Sequence, residues 1–339
     1  MTEKAARALR WSVVAFVVAA LTVGAAAAWL WAGLVRPRTD APVELVVPAG
    51  ASVAAVVTQL AGEGVAPSPT ASRLYITVLA DGREPRFGTY RFEAGTRPWQ
   101  ALEQVLDGRV AMFRVTLVEG LTAAESTAVL VAAGVGDPDT WDRLVADPTP
   151  VAHLAPNARS LEGFLFPDTY RLAVGIRPAQ LVAVLVGEFE EVWNDLVAPS
   201  EAPWGTVDEV VTLASLVEAE TSVADERRRI AGVFVNRLRR GMLLQCDPTV
   251  VYALKRQGRW SGRLLRIHWQ LDDPYNTYRY PGLPPGPINS PGRAALAAAL
   301  DPETHEFLYF VARPEGGHAF SRTLAEHNRA VARLRRARR

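Results

Sequence analysis

A chain of 339 residues with 37 basic and 36 acidic side chains carries a net charge of +1, so no global field directs it to nucleic acid. It is long enough for two modest domains and a tether. No phosphate-binding loop, RNA-binding motif or zinc-ligand spacing is present, and the five histidines form no H-E-x-x-H pair. The lone Cys246 has no partner for an internal disulfide.

Residues 1–10 are short and basic, with Lys4, Arg7 and Arg10. The 25 residues from Trp11 to Val35 carry no charge, enough for a helix that crosses a bilayer with some tilt. Trp11, Trp29 and Trp31 suit its interfacial ends. The run is longer than the apolar part of a cleaved signal, so the expectation is a retained anchor with its N-terminus inside and the bulk of the chain outside. Residues 36–42 read as a linker.

Residues 43–108 read as a small α/β module. Val43, Leu45 and Val47 mark a strand. Ser52 begins a helix that stops at Gly62-Glu63-Gly64, and Ser68 or Thr70 begins another. Phe87–Phe92 is a second strand, and Thr96 caps a helix ending at Gly108. Residues 109–335 follow as a mixed α+β domain. Met112–Val118 is a strand, Thr122 caps a helix, and Asp139-Thr140-Trp141 opens the next. Pro167-Asp168-Thr169-Tyr170 reads as a turn. Arg177–Leu196 is a helix with a regular apolar face.

The domain is organised around residues 208–253. Asp208–Glu220 is a helix apolar nearly all round, hence buried. Glu218 and Glu220 sit at its C-terminal end, where dipole and burial both favour the protonated carboxyl that a general acid requires. Pattern alone does not choose between them, or exclude a carboxylate that simply emerges into solvent. A second helix opens at Ser222 and Asp225 in a capping-box-like spacing and closes near Gly241. Arg237 lies on its apolar stripe and calls for a carboxylate or an anionic ligand. In the following loop, Gln245 and Asp247 can bind hydroxyl and amide groups. Cys246 has no nearby histidine to activate it and reads as a neutral variation, not a nucleophile. Residues 255–292 form a long loop whose tyrosines argue for function over disorder. Asn276 and Tyr278 are its candidates for ligand contact. A helix begins at Pro291, Phe307–Val311 is a strand, and His318 follows a Gly-Gly turn. The basic tail holds Arg333, Arg335, Arg336, Arg338 and Arg339.

ASLVEAETSVADERRRIAGVFVNRLRRGMLLQCDPTVVYAL, together with LEGFLFPDTY at 161–170, YNTY at 275–278 and GLPPGPI at 282–288, resembles the YceG-like family of endolytic murein transglycosylases. The resemblance covers most of residues 110–330. It implies a membrane-anchored lytic transglycosylase that cuts the bond between N-acetylmuramic acid and N-acetylglucosamine in nascent peptidoglycan and leaves a 1,6-anhydro end. It places the family's catalytic glutamate at Glu218, with Glu220 as the fallback. Glu162, Tyr170, Arg237, Gln245, Asp247, Asn276 and Tyr278 become candidate substrate contacts, with His318 a weaker one. The implied fold is α+β: a transmembrane helix, a LysM-like module over 43–108 and a YceG-like catalytic domain over 109–335. The LysM-like module would grip glycan or serve as a spacer. No cofactor or metal is implied. The implied partners are glycan strands, the synthases that make them, and the bacterial plasma membrane, with the catalytic domain on its outer side. Two other readings stay open: a non-catalytic glycan-binding scaffold, and a water-using muramidase with Asp247 or Glu162 as its second carboxylate.

Overall fold

A computed structural model describes residues 3–66, 68–197, 205–313 and 315–337; Arg338 and Arg339 of the basic tail lie outside the described residues. The chain divides into two compact units, residues 1–113 with 171–175, and residues 114–170 with 176–339.

In the first unit, α1 (Glu3–Val35) contains one stretch, Leu9–Val35, long and apolar enough to cross a membrane. Trp11 and Phe16 on it are bare, at 70% and 75% exposure, while Leu34 near its end is buried. Next come β1 (Val43–Val47), α2 (Val53–Gly62), α3 (Pro69–Leu74), β2 (Gly88–Phe92) and α4 (Pro98–Asp107). β1 and β2 pair antiparallel, Leu45 opposite Tyr90. The β-α-α-β order follows from the pattern: alternate residues of both strands and one stripe of each helix close a core of Leu45, Val57, Leu60, Tyr90, Phe92 and Leu102. Ser52 and Ser68 cap α2 and α3 through the N–H groups of Ala55 and Ala71. α3 runs on as a π-turn over Tyr75–Leu79. α4 departs from expectation: Pro98 takes its first position after Arg97, where its fixed φ and missing N–H cost nothing. Thr96 instead donates its hydroxyl to Glu93 O.

β3 (Met112–Thr116) and β4 (Thr169–Ala173) form a two-stranded sheet along which the chain passes between the units. Tyr170 therefore sits in a strand, not in the expected turn. In the second unit, α5 (Ala123–Ala132) begins at a reciprocal cap between Thr122 and Glu125. α6 (Pro138–Ala146) begins earlier than read, because Asp137 accepts the Thr140 N–H. α7 (Pro178–Val197) presents Leu181, Leu185, Phe189 and Trp193 inward.

α8 (Val207–Glu220) runs through the middle of this unit and packs against α9 (Arg227–Arg239), α10 (Asp247–Arg256) and α11 (Arg293–Leu300). Every residue from Val210 to Val217 is buried, as its unbroken apolar run requires. α9 lacks the cap read at Ser222. A 3-10 turn, Ala224–Glu226, leads straight into it. Asp247 lies not in a loop but at the start of α10, whose first turn Pro248 occupies. β5 (Tyr309–Ala312) and β6 (His318–Ser321) form a hairpin, followed by α12 (Leu324–Ala337), which exposes Arg333, Arg335 and Arg336.

Candidate active site

The last turn of α8 sends three consecutive residues in three directions. Glu218 points toward the segment that enters α11. Its Oε2 accepts the Gly292 N–H at 3.2 Å, while Oε1 makes no hydrogen bond and lies 3.9 Å from Arg227 Nη2. The Glu218 side chain keeps 9% of its exposure, so it is desolvated yet reachable. Burial pushes its carboxyl above the usual carboxylate range, and the nearby Glu119 pushes the same way. The Gly292 N–H and Arg227 pull it down, and the net direction is upward. Segment 287–292 is held against α8 by Ser215. Its hydroxyl accepts the Ile288 N–H at 3.0 Å, and its carbonyl accepts Asn289 Nδ2 at 2.9 Å. The N–H that holds Glu218 is therefore fixed by the helix that carries Glu218.

Ala219 opens onto a cleft of about 360 Å³, lined also by Gly120, Thr122, Asp247, Tyr252 and Asn289. Asn289 Oδ1 and Ser290 Oγ are buried without partners, which leaves polar capacity beside the cleft. Glu220 turns the other way. Its Oε1 accepts the Cys246 thiol at 3.1 Å. Burial raises its pKa, and burial together with Glu220 raises that of Cys246 well above the usual thiol. Cys246 is 2% exposed and protonated, the inert state for a thiol.

The other candidates separate into two groups. Asp247, Gln245 and Tyr278 line a cavity of about 310 Å³ with Glu220 and Arg237. Asp247 also borders the first cleft, and its Oδ1 accepts Trp269 Nε1 at 3.0 Å and the Tyr278 hydroxyl at 2.7 Å. The Trp269 and Tyr278 rings stack at 5.1 Å. Burial and Asp247 both raise the Tyr278 pKa. Gln245 has φ 51°, a costly conformation for a side chain with a Cβ. Its N–H is tied to Thr277 O at 3.1 Å, so the Tyr275–Tyr278 loop sets its pose.

The second group is committed to the protein itself. Among the described residues Arg237 makes no ion pair. Its Nε donates to Leu308 O and its Nη1 to Leu243 O and Leu244 O, and its plane covers Tyr309 at 5.0 Å. Carbonyl dipoles and a ring face compensate the buried cation. Asn276 is fully buried. Its Nδ2 donates to Trp269 O and Leu271 O, and its Oδ1 accepts the Tyr278 N–H. It braces the loop and has no face left for substrate. Tyr170 is 6% exposed and donates its hydroxyl to Phe166 O at 2.6 Å, fixing the chain rather than a cleft wall. Glu162 Oε1 accepts the Ala123 N–H at the start of α5, Oε2 accepts the Tyr252 hydroxyl, and burial pushes its pKa up to about 7. His318 is held by Glu226, 2.6 Å from Nδ1.

Two residues beside Glu218 escaped the sequence reading, Glu119 and Arg227. Glu119 sits next to a glycine after a strand and resembles any turn carboxylate. Arg227 is one of three consecutive arginines, and only the fold distinguishes it. Among the described residues, no cluster of acidic, histidine or cysteine side chains could hold a metal ion.

Comparison with known proteins identifies the family. The chain matches the YceG-like family over residues 45–333. It is 30% identical over 313 residues to the endolytic murein transglycosylase of Bacillus subtilis strain 168, covering 87% of this chain and 86% of that one. It is 34% identical over 178 residues to the endolytic murein transglycosylase of Streptococcus pneumoniae strain D39, covering 51% of this chain and 32% of the longer relative. A crystal structure of a YceG-like protein from Listeria monocytogenes superposes with a TM-score of 0.57 at 28% identity, covering 85% of this chain and 98% of that one. With a family match over most of its length and a relative 30% identical over 87% of it, the chain belongs to the YceG-like family.

Proposed function

We propose that this protein is an endolytic murein transglycosylase, with Glu218 as the single acid and base of the reaction. The observation that carries this reading is the state of the Glu218 carboxyl. One oxygen is fixed by the Gly292 N–H, the other is free, and burial favours the proton. The protonated carboxyl donates to the glycosidic oxygen between N-acetylmuramic acid and N-acetylglucosamine. As that bond breaks, its electron pair goes to the departing oxygen. The Glu218 carboxylate then takes the proton of the muramic C6 hydroxyl, whose oxygen closes on C1 of the same ring. No water is consumed, and the intramolecular nucleophile contributes proximity. Asp247, Gln245 and Tyr278 supply polar contacts and an aromatic face for neighbouring sugars.

The apolar helix anchors the chain in the plasma membrane with the residues that follow it on the outer side, where new strands emerge and their synthases work. The Leu9–Val35 stretch supports the anchor. The first unit serves as a LysM-like grip on the glycan. A groove of about 800 Å³ between residues 50–53 and 83–87, with Phe87 bare, supports that part.

The test is mass spectrometry of products from peptidoglycan digested with the full chain and with Glu218→Gln. Muramic ends about 18 Da lighter than reducing ends, absent from the variant digest, are expected. Reducing ends would mean that a second carboxylate activates water, and Glu119, the acidic neighbour of Glu218, is the residue that favours this second reading. No cleavage by folded protein would leave a glycan-binding scaffold.

A further inference from the structure

The loop after β3 brings a second carboxylate to Glu218. Gly120 N–H donates to Ser290 O at 2.9 Å, and Ser290 N–H donates to Leu121 O at 2.8 Å. This pairing sets Glu119 against Gly292 so closely that a Cβ at position 292 would fall on the Glu119 carboxylate. The same Gly292 gives its N–H to Glu218 Oε2, and a Cβ on Gly120 would lie 3.8 Å from Glu218 Cγ. Two carboxyl groups thus converge on one glycine backbone, the Glu119 loop tied to the glycine's segment by two hydrogen bonds and Glu218 by the Gly292 N–H. We propose that Glu119 is a positioning residue for Glu218, its negative charge keeping the neighbouring carboxyl in the proton-donating form until the glycosidic oxygen takes the proton.

The proposal rests on Glu218 being the acid. The charges around Glu218 leave this role to one group. On α9, Arg227 approaches Glu218 Oε1, and its Nε is buried without a partner. Glu226, beside it, is held by His318. On α11, Arg293 is paired with Asp195. On α8 itself, Glu220 faces Cys246. Glu119 is therefore the anionic neighbour and Arg227 the cationic one. A like charge nearby disfavours ionisation before proton transfer, and a cation favours the carboxylate that transfer produces. Glu119 exchanges no proton in the reaction: Glu218 loses one to the leaving oxygen and regains one from the C6 hydroxyl.

The experiment compares pH profiles of sacculus cleavage by the full-length wild type, Glu119→Gln, Gly292→Ala and Glu218→Gln. Gly292 has φ −77° and ψ 170°, which alanine adopts freely. Gly292→Ala thus turns the exposed Glu119 side chain away while keeping both charges. In Glu119→Gln the alkaline limb is expected to move to lower pH, with about tenfold loss at neutral pH and recovery toward wild type in acid. Gly292→Ala is expected to shift the same way. The titration midpoint of the Glu218 carboxyl, followed by carbon NMR, is expected to fall in both. An unmoved limb and midpoint, or an equal loss at every pH, overturns the proposal while an inactive Glu218→Gln leaves the acid assignment standing. Wild-type cleavage by Glu218→Gln overturns the assignment and the proposal together.

Discussion

Glu218 and Glu220 leave the same last turn of one helix, yet the first is held by the Gly292 backbone beside Arg227 and the second meets a buried thiol. Both are desolvated and both are pushed toward the protonated form. What separates them is company. Glu218 stands between a carboxylate and a guanidinium, with a fixed N–H on one oxygen; Glu220 has a thiol that itself cannot ionise. A raised pKa is therefore a poor guide to the reacting group by itself. The Gly292 N–H on Glu218 and the Cys246 thiol on Glu220 distinguish the two.

The sharpest way to break this comparison is to neutralise each carboxyl in turn. Glu218→Gln is expected to lower cleavage by about 10²–10⁴-fold with an unchanged melting temperature, whereas Glu220→Gln is expected to retain most activity. Cleavage rates on purified sacculi check both, and an inactive Glu220→Gln beside an active Glu218→Gln would reverse the roles.

Arg237 tests the structural side of the same region. Arg237→Met leaves the carbonyls of Leu243, Leu244 and Leu308 without their donor. Denaturant unfolding is expected to show a loss of roughly 3 kcal/mol. A near-zero change would mean that water replaces the guanidinium and that Arg237 is free to serve substrate.

Glu162 gives a pH-dependent contrast. Its folded pKa is raised from 4.5 to about 7, so the folded state holds the proton more tightly than the unfolded chain. The resulting stability is fully present below pH 4.5 and is lost as pH rises through about 7. Melting temperature measured across that window should fall, by at most about 3 kcal/mol in stability terms. In Glu162→Gln the fall should flatten. An unchanged slope would show that other groups dominate.

The smallest effect belongs to Cys246. Cys246→Ser keeps a donor for Glu220 and is expected to change stability by under about 1.5 kcal/mol, with cleavage intact. Folded protein should resist iodoacetamide, because the thiol is buried and protonated. Rapid alkylation of native protein would remove the seal that sets Glu220 apart from Glu218.

Several features were legible without coordinates because they depend on nearest neighbours in the chain. Trp11–Val35 announces itself by an uninterrupted uncharged run, Thr122 and Glu125 by capping spacing, and α8 by a mostly apolar circumference with acids at its end. Asn276 and Tyr170 were misjudged because a polar group in an interesting loop looks the same whether it faces substrate or its own backbone. α10 was missed because an Asp-Pro pair opens both turns and helices, and packing against α8 chooses between them.

By itself, then, the order of residues determined the membrane-length helix, the β-α-α-β succession, the buried α8 and the pair of acids at its tip. These follow from local periodicity and helix-end chemistry, which act within a few residues. Only the tertiary structure decided that Gly292 holds Glu218 while Cys246 meets Glu220, that Glu119 and Arg227 flank Glu218, and that Arg237 is bound to carbonyls. The partners in these cases come from distant parts of the chain. Gly292 is far from Glu218 in sequence and Glu119 farther still, and only the folded backbone brings their charges within reach of one another.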